Sequence, residues 1–131
     1  MNMKMLREPV TLAERPSLAI IEHLFVYGTL APGEPYHYIV AGIGDSWRPA
    51  VMRGQLLDEG WAARFGYSGL VVDDGGADIS GVLVASTRLH QHWQRLDKFE
   101  EAGYTRQLAQ AILPDRSRIQ ANVYVLRRRF R

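Results

Sequence analysis

The segment Phe25-Val26-Tyr27-Gly28-Thr29-Leu30 constrains the fold of this chain most strongly. Its apolar first half is typical of a central strand that is buried on both faces. A glycine and a hydroxyl residue then end the strand, and Ala31-Pro32-Gly33 follows. The backbone N–H groups of such a turn have no partner within the strand, so they are available to a carboxylate or another anionic group of a ligand.

The remainder of the chain predicts several short strands and one well-marked helix. The strands are expected at Ala50–Asp58, Leu70–Val72, Ile79–Val84, Gln107–Leu113 and Ile119–Leu126, and a short helix is expected after Pro35. The turn-forming sequence Asp73-Asp74-Gly75-Gly76 predicts a hairpin between the second and third of these strands. Within the first strand, Gly54 indicates a bulge or a close backbone approach. This pattern favours an α+β fold, a small antiparallel or mixed barrel.

Length, charge and cysteine content restrict the function classes. A chain of 131 residues with 47% hydrophobic content is expected to form one domain, with an N-terminal arm at 1–19, the domain at 20–126 and a basic tail at 127–131. The formal net charge is only +2, which gives no reason to expect a nucleic-acid partner. The absence of cysteine excludes disulfides and thiolate nucleophiles and fits a cytoplasmic protein. Neither a signal peptide nor a membrane-spanning segment is predicted.

One helix is predicted to direct a carboxylate towards the core. Ser86 or Thr87 can cap a helix that extends to about Glu100. An α-helix advances about 100° per residue, so one face of this helix collects four residues: Leu89, Trp93, Leu96 and Glu100. We expect Asp97 and Glu101 to turn away from that face into solvent. A carboxylate moved towards an apolar cavity loses hydration, which raises its pKa and makes it a suitable general acid and base near neutral pH.

Other interpretations of the same residues stay open at this point. In one alternative the helix ends before Glu100, and the Glu100 carboxylate pairs with Arg106 or Lys98 at the surface. Tyr104 and Tyr124 either line a pocket or lie half-buried in the core with their hydroxyls at its rim. No metal site is predicted, because the four histidines lack the spacing of metal ligands: His23, His37, His90 and His92.

Taken in order, these motifs resemble the gamma-glutamylcyclotransferase-like superfamily. The resemblance rests on five segments between about His23 and Leu126: Tyr27-Gly28-Thr29-Leu30, Gly54-Gln55-Leu56 with Asp58 and Gly60, Gly81-Val82-Leu83, Leu96-Asp97-Lys98-Phe99-Glu100 with Tyr104-Thr105-Arg106, and Val123-Tyr124. It implies a small mixed β-barrel with a few short flanking helices and one ligand cavity at the barrel mouth. It also implies that the Tyr27–Leu30 turn holds the amino and carboxylate ends of the substrate. Glu100 corresponds to the catalytic glutamate of the family.

The activity implied by this resemblance is the cyclisation of a gamma-glutamyl compound. Its α-amine attacks its γ-carbonyl, which releases a free amine or amino acid and leaves 5-oxoproline. Glu100 would act as general acid and base, and substrate would bind against Tyr27, Gly28, Thr29, Leu30, Tyr104 and Tyr124. We expect no cofactor and no metal, a small-molecule substrate, no nucleic-acid or membrane partner, and a monomer or homodimer. The alternative is a non-catalytic module on the same fold that binds a small metabolite.

Overall fold

The computed structural model describes residues 20–58 and 68–127. The elements in chain order are β1 (Glu22–Val26), α1 (Tyr38–Ala41), β2 (Ser46–Leu57), β3 (Gly69–Val72), β4 (Ala77–Ser86), a 3₁₀ turn (Leu89–Gln91), α2 (Trp93–Glu100), β5 (Tyr104–Ile112) and β6 (Arg118–Leu126). None of the helices in these two ranges is long and apolar enough to cross a membrane. The predicted arm at 1–19 and residues 128–131 of the predicted tail lie outside the described residues.

The strands form a six-stranded sheet in the order β3-β2-β4-β1-β6-β5. A further pairing between β2 and β5, at Met52 opposite Ala111, closes five of these strands into a barrel. The strands β1 and β6 run parallel to each other, and all the other pairings are antiparallel. Closure leaves fewer unpaired strand edges exposed to other chains. The predicted α+β class and the small mixed β-barrel are therefore confirmed.

The strand β1 lies at the centre of the core, as its apolar sequence predicts. Leu24 and Val26 pack into a cluster that also contains residues of α2, whereas Phe25 packs into a second cluster. All three side chains are no more than 3% exposed. At Gly81 a Cβ atom would lie 2.5 Å from the ring of Phe25, so a glycine there lets β4 pass close to β1. Both faces of β1 are thus buried before the chain turns at Gly28.

The predicted hairpin between β3 and β4 is wrong. Both strands pair with β2 instead, and Gly54 is the register partner of Val72 in one and of Ala77 in the other. The turn itself forms, since the N–H of Gly76 donates to the carbonyl of Asp73 at 2.8 Å. It joins two strands that run in the same direction along β2. The close backbone approach predicted at Gly54 is confirmed, because a Cβ there would lie 2.4 Å from a carbonyl oxygen of β3.

The predicted start of the long helix is also wrong. Ser86 ends β4, a 3₁₀ turn follows, and α2 begins at Trp93. The Ser86 hydroxyl does accept a hydrogen bond from a nearby backbone N–H, that of Arg88 at 2.9 Å, and it donates to the carbonyl of Ile43 at 2.7 Å. Neither Ser86 nor Thr87 caps a helix: the residue before the 3₁₀ turn is Arg88, the residue before α2 is His92, and neither makes a side-chain capping hydrogen bond. The other end of the helix, at Glu100, is as predicted.

Candidate active site

A cavity lies where β1 ends, beside the C-terminal end of α2. It holds about 410 Å³ of empty space, part of it open to solvent. Its lining contains every residue that the sequence predicted for the site, together with the end of β1 and one serine: Phe25, Val26, Tyr27, Gly28, Thr29, Leu30, Ser68, Glu100, Tyr104 and Tyr124. Segments that are far apart in sequence therefore meet at one place.

The first wall of the cavity is the turn that follows β1. The N–H of Ala31 donates to the carbonyl of Gly28 at 2.9 Å, which closes a β-turn with Thr29 and Leu30 at its centre. No residue in the described parts of the chain accepts a hydrogen bond from the N–H of Thr29 or Leu30. These two donors are the groups that the sequence predicts to be available for a ligand.

Two groups from the next segment brace this turn from outside. The N–H of Tyr36 donates to the carbonyl of Thr29 at 2.9 Å, and Nδ1 of His37 lies 2.9 Å from the carbonyl oxygen of Leu30. Because a carbonyl oxygen only accepts, Nδ1 of His37 is protonated. The His37 ring also packs edge-on against Trp47, with 4.9 Å between ring centroids. No local sequence pattern predicts this role of His37, because its partners Leu30 and Trp47 come next to it only in the folded chain.

The cavity lining also contains Glu100, the last residue of α2. Glu100 is 6% exposed and shares the buried face of the helix with Trp93 and Leu96, as the helical spacing predicts. The open alternative of a carboxylate at the surface is therefore excluded. Burial is the main cause that raises the pKa of Tyr27 and of Tyr124, and the negative charge of Glu100 raises both further. Glu100 thus lies close enough to influence both phenols.

Tyr27 joins two strands through its hydroxyl group. The hydroxyl donates to the carbonyl of Tyr124 at 2.7 Å and accepts from the N–H of Leu70 at 3.0 Å. Its only proton is therefore already engaged with the protein backbone. The ring of Tyr27 contributes to the cavity wall, while its hydroxyl fixes β6 and β3 relative to each other.

Tyr124 uses its hydroxyl differently. It donates to Oδ1 of Asp97 at 2.6 Å, and the same carboxylate binds the guanidinium of Arg106 through Nε at 2.9 Å and Nη2 at 3.2 Å. Burial acts to raise the pKa of Asp97, but the hydrogen bonds from Arg106 and Tyr124 outweigh it and hold that pKa below its usual range. Asp97 does lie off the apolar face, as expected, yet its carboxylate is tied to two strands. The side chain is 44% exposed, so the expected contact with solvent is present, but the sequence did not predict its two partners.

Tyr104 is 5% exposed and lines the cavity on one side. On its other side it borders a polar groove, which Tyr124, Asp97 and Arg106 also line. The described residues contain no cluster of three His, Asp or Glu side chains that could hold a metal ion. The expectation that the site needs no cofactor stays a prediction. Residues 59–67, which precede Ser68 in the chain, lie outside the described residues.

Comparison with known proteins identifies relatives of this fold. The chain superposes on YkqA from Bacillus subtilis with a TM-score of 0.63 and 27% identity, over 82% of this chain and 36% of that one. An AIG2-like protein from Mus musculus gives a TM-score of 0.60 at 22% identity, over 80% of this chain and 76% of that one. A yeast gamma-glutamyl cyclotransferase specific to glutathione gives a TM-score of 0.55 at 12% identity, over 80% of this chain and 68% of that one.

The chain thus spans little more than a third of the length of the Bacillus protein. No curated protein sequence matches it significantly. The likenesses to the mouse and yeast proteins concern the fold alone. A family profile described as "Gamma-glutamyl cyclotransferase, AIG2-like" matches residues 24–131, which include the turn after β1 and the end of α2. This chain therefore belongs to the gamma-glutamyl cyclotransferase, AIG2-like family.

Proposed function

We propose that this protein is a cofactor-independent cyclotransferase, which converts a gamma-glutamyl compound into 5-oxoproline and a free amine or amino acid. The observation on which the proposal depends is that Glu100, 6% exposed, lines the same cavity as the turn at Thr29 and Leu30, whose N–H groups have no acceptor among the described residues. Family membership and the fold of the yeast cyclotransferase support the same reaction class.

The reaction requires proton transfer at two nitrogen atoms. The α-ammonium group of the substrate must lose a proton before its nitrogen attacks the γ-carbonyl carbon, and the departing nitrogen must gain one before the amide bond breaks. Over the whole reaction the α-ammonium group becomes the N–H of the ring and loses two protons, while the departing amide nitrogen becomes an ammonium group and gains two. One carboxylate that accepts a proton from the first nitrogen and passes it to the second can carry out both transfers. A positioned carboxyl group of this kind contributes about 10²–10⁴-fold to the rate.

The turn after β1 supplies the second requirement, which is orientation. The N–H groups of Thr29 and Leu30 would hold the α-carboxylate of the substrate or the oxyanion that forms at the γ-carbon. Because attacking and attacked atoms belong to one molecule, fixing that molecule in a folded conformation lowers the barrier without further chemistry. Bracing by Tyr36 and His37 keeps the turn in place.

The neighbouring glutamates allow a matched test. Glu100→Gln keeps the shape of the side chain and removes its ability to accept a proton, so we expect formation of 5-oxoproline from a panel of gamma-glutamyl amines and dipeptides to fall by at least about 100-fold. Glu101→Gln makes the same chemical change on an exposed residue next to it and should retain wild-type turnover.

Two outcomes would contradict the proposal. Wild-type turnover in Glu100→Gln would remove Glu100 from the chemistry. If the wild-type protein binds 5-oxoproline but converts no member of the panel, the chain is a binding module on this fold. Both proteins must show the same circular dichroism spectrum for either result to count.

A further inference from the structure

We propose that Asp97 is a positioning residue, which together with Arg106 fixes the last turn of α2 and so sets the place of Glu100 in the cavity. The kinetic part of this inference rests on the proposed function, whereas the structural part does not. Asp97 precedes Glu100 by three residues, slightly less than one helical turn. Any movement of the Asp97 backbone is therefore passed directly to Glu100.

The contacts of Asp97 connect α2 to two strands at once. Arg106, which belongs to β5, grips both carboxylate oxygens at 2.9 and 3.2 Å, and Tyr124, which belongs to β6, donates to one of them at 2.6 Å. Charge-assisted, two-pronged contacts of this type are short and define an orientation as well as a distance. The carboxylate is thus attached to the two strands that provide Tyr104 and Tyr124 to the cavity wall.

Arg106 is itself held in place from two further sides. Its Nη1 donates to Oδ1 of Asn122 at 2.9 Å, and its guanidinium lies 4.2 Å from the centre of the Trp93 ring, at the start of α2. Asn122 in turn donates to the carbonyl of His23 in β1 at 3.1 Å. The network therefore begins and ends on rigid strands, and it holds both the first and the last turn of the helix.

A helix as short as α2 needs such support. It has 8 residues, and isolated helices of this length are unstable in water. Trp93 and Leu96 anchor one face in the core, but apolar packing does not define a direction as sharply as a forked hydrogen bond. Ion pairs that are partly exposed add little stability, so the main consequence of this one is geometric.

The chain provides a matched control in a second Asp–Arg pair. Asp78 binds Arg53 at 2.8 Å, on a different part of the barrel, and neither residue lines the cavity. Asp97→Asn and Asp78→Asn make the same chemical change, one within the network and one outside it. We expect Asp97→Asn to lower kcat by about 10–100-fold with KM within about threefold of wild type, since small displacements of a catalytic group cost rate more than binding. Asp78→Asn should leave both constants unchanged.

Hydrogen exchange tests the structural part without any turnover. In Asp97→Asn the amides of Phe99 and Glu100 should exchange at least about tenfold faster than in wild type, while those of β4 exchange as before. Equal acceleration in α2 and β4 would show a loss of global stability only and would overturn the proposal. A wild-type kcat, or a rise in KM alone, would also overturn it.

A second variant decides the matter if Asp97→Asn does not fold. Arg106→Lys keeps the charge but cannot bind both carboxylate oxygens in a fork, so it should lower kcat and speed exchange at Glu100 in the same way. Wild-type behaviour of this variant would refute the role of the pair. If the wild-type protein forms no 5-oxoproline, the proposed function is wrong. The hydrogen-exchange rates at Phe99 and Glu100 still test whether Asp97 and Arg106 fix the end of α2.

Discussion

Adding one methyl group at Gly28 should weaken ligand binding without lowering the stability of the fold. A Cβ atom built at Gly28 meets no heavy atom within 4 Å, and the residue lines the cavity. Gly28 is also absent from the positive-φ residues, so alanine fits its backbone. We expect Gly28→Ala to keep or raise the free energy of unfolding by about 0.4–1 kcal/mol, because alanine restricts the unfolded chain. The methyl group would then occupy space that a ligand needs.

We estimate the loss of binding free energy from the cost of adding a methyl group to a well-packed site, which is about 1–3 kcal/mol. This loss corresponds to a dissociation constant about 5- to 150-fold higher. Isothermal titration with 5-oxoproline measures the affinity, and urea unfolding measures the stability. Gly42→Ala is the matched control, since Gly42 also has open space around its Cβ position but lies at the end of α1, outside the cavity lining. Equal affinities of the two variants would refute the placement of the ligand beside Gly28.

Three more predictions concern the groups that support the site. Tyr27→Phe leaves two backbone groups without their partner and should lower the free energy of unfolding by about 1–3 kcal/mol, measured by urea denaturation; an unchanged midpoint would contradict the bridging role of the hydroxyl. His37→Asn keeps a donor near Leu30 and should bind 5-oxoproline more tightly than His37→Leu, whereas equal affinities would show that the brace is dispensable. The pKa of Asp97 is lower in the folded than in the unfolded chain, so the stability it adds is present above about pH 4 and disappears as the pH falls further. The difference in unfolding free energy between wild type and Asp97→Asn should therefore shrink on acidification. A difference that stays constant with pH would contradict a lowered pKa of Asp97 in the folded protein.

Local patterns predicted the parts of the site that depend on neighbouring residues. The apolar run at Phe25 identified a strand buried on both faces, and the helical spacing of Trp93, Leu96 and Glu100 identified the buried carboxylate. In both cases the periodicity of a single element determines which side chains face the core. The glycine and hydroxyl residue after β1 likewise indicated a turn with available N–H groups.

Contacts between distant segments were not predictable in this way. The turn at Asp73–Gly76 was recognised from its residues, but the partner of both flanking strands is β2, which no local pattern reveals. The helical position of Asp97 predicts only that its side chain points away from the apolar face, towards solvent. Its partners Arg106 and Tyr124 are 9 and 27 residues further along the chain, so only the sheet brings them to it.

The parallel pairing of β1 with β6 has a consequence for how the protein matures during synthesis. Tyr27 and the carbonyl of Tyr124 that it binds are 97 residues apart, and the cavity has walls from both segments. A nascent chain that has emerged from the ribosome only as far as α2 already contains the turn and Glu100, yet it lacks the strand that encloses them. The cavity should therefore be complete, and able to bind a ligand, only after β6 has emerged and paired with β1.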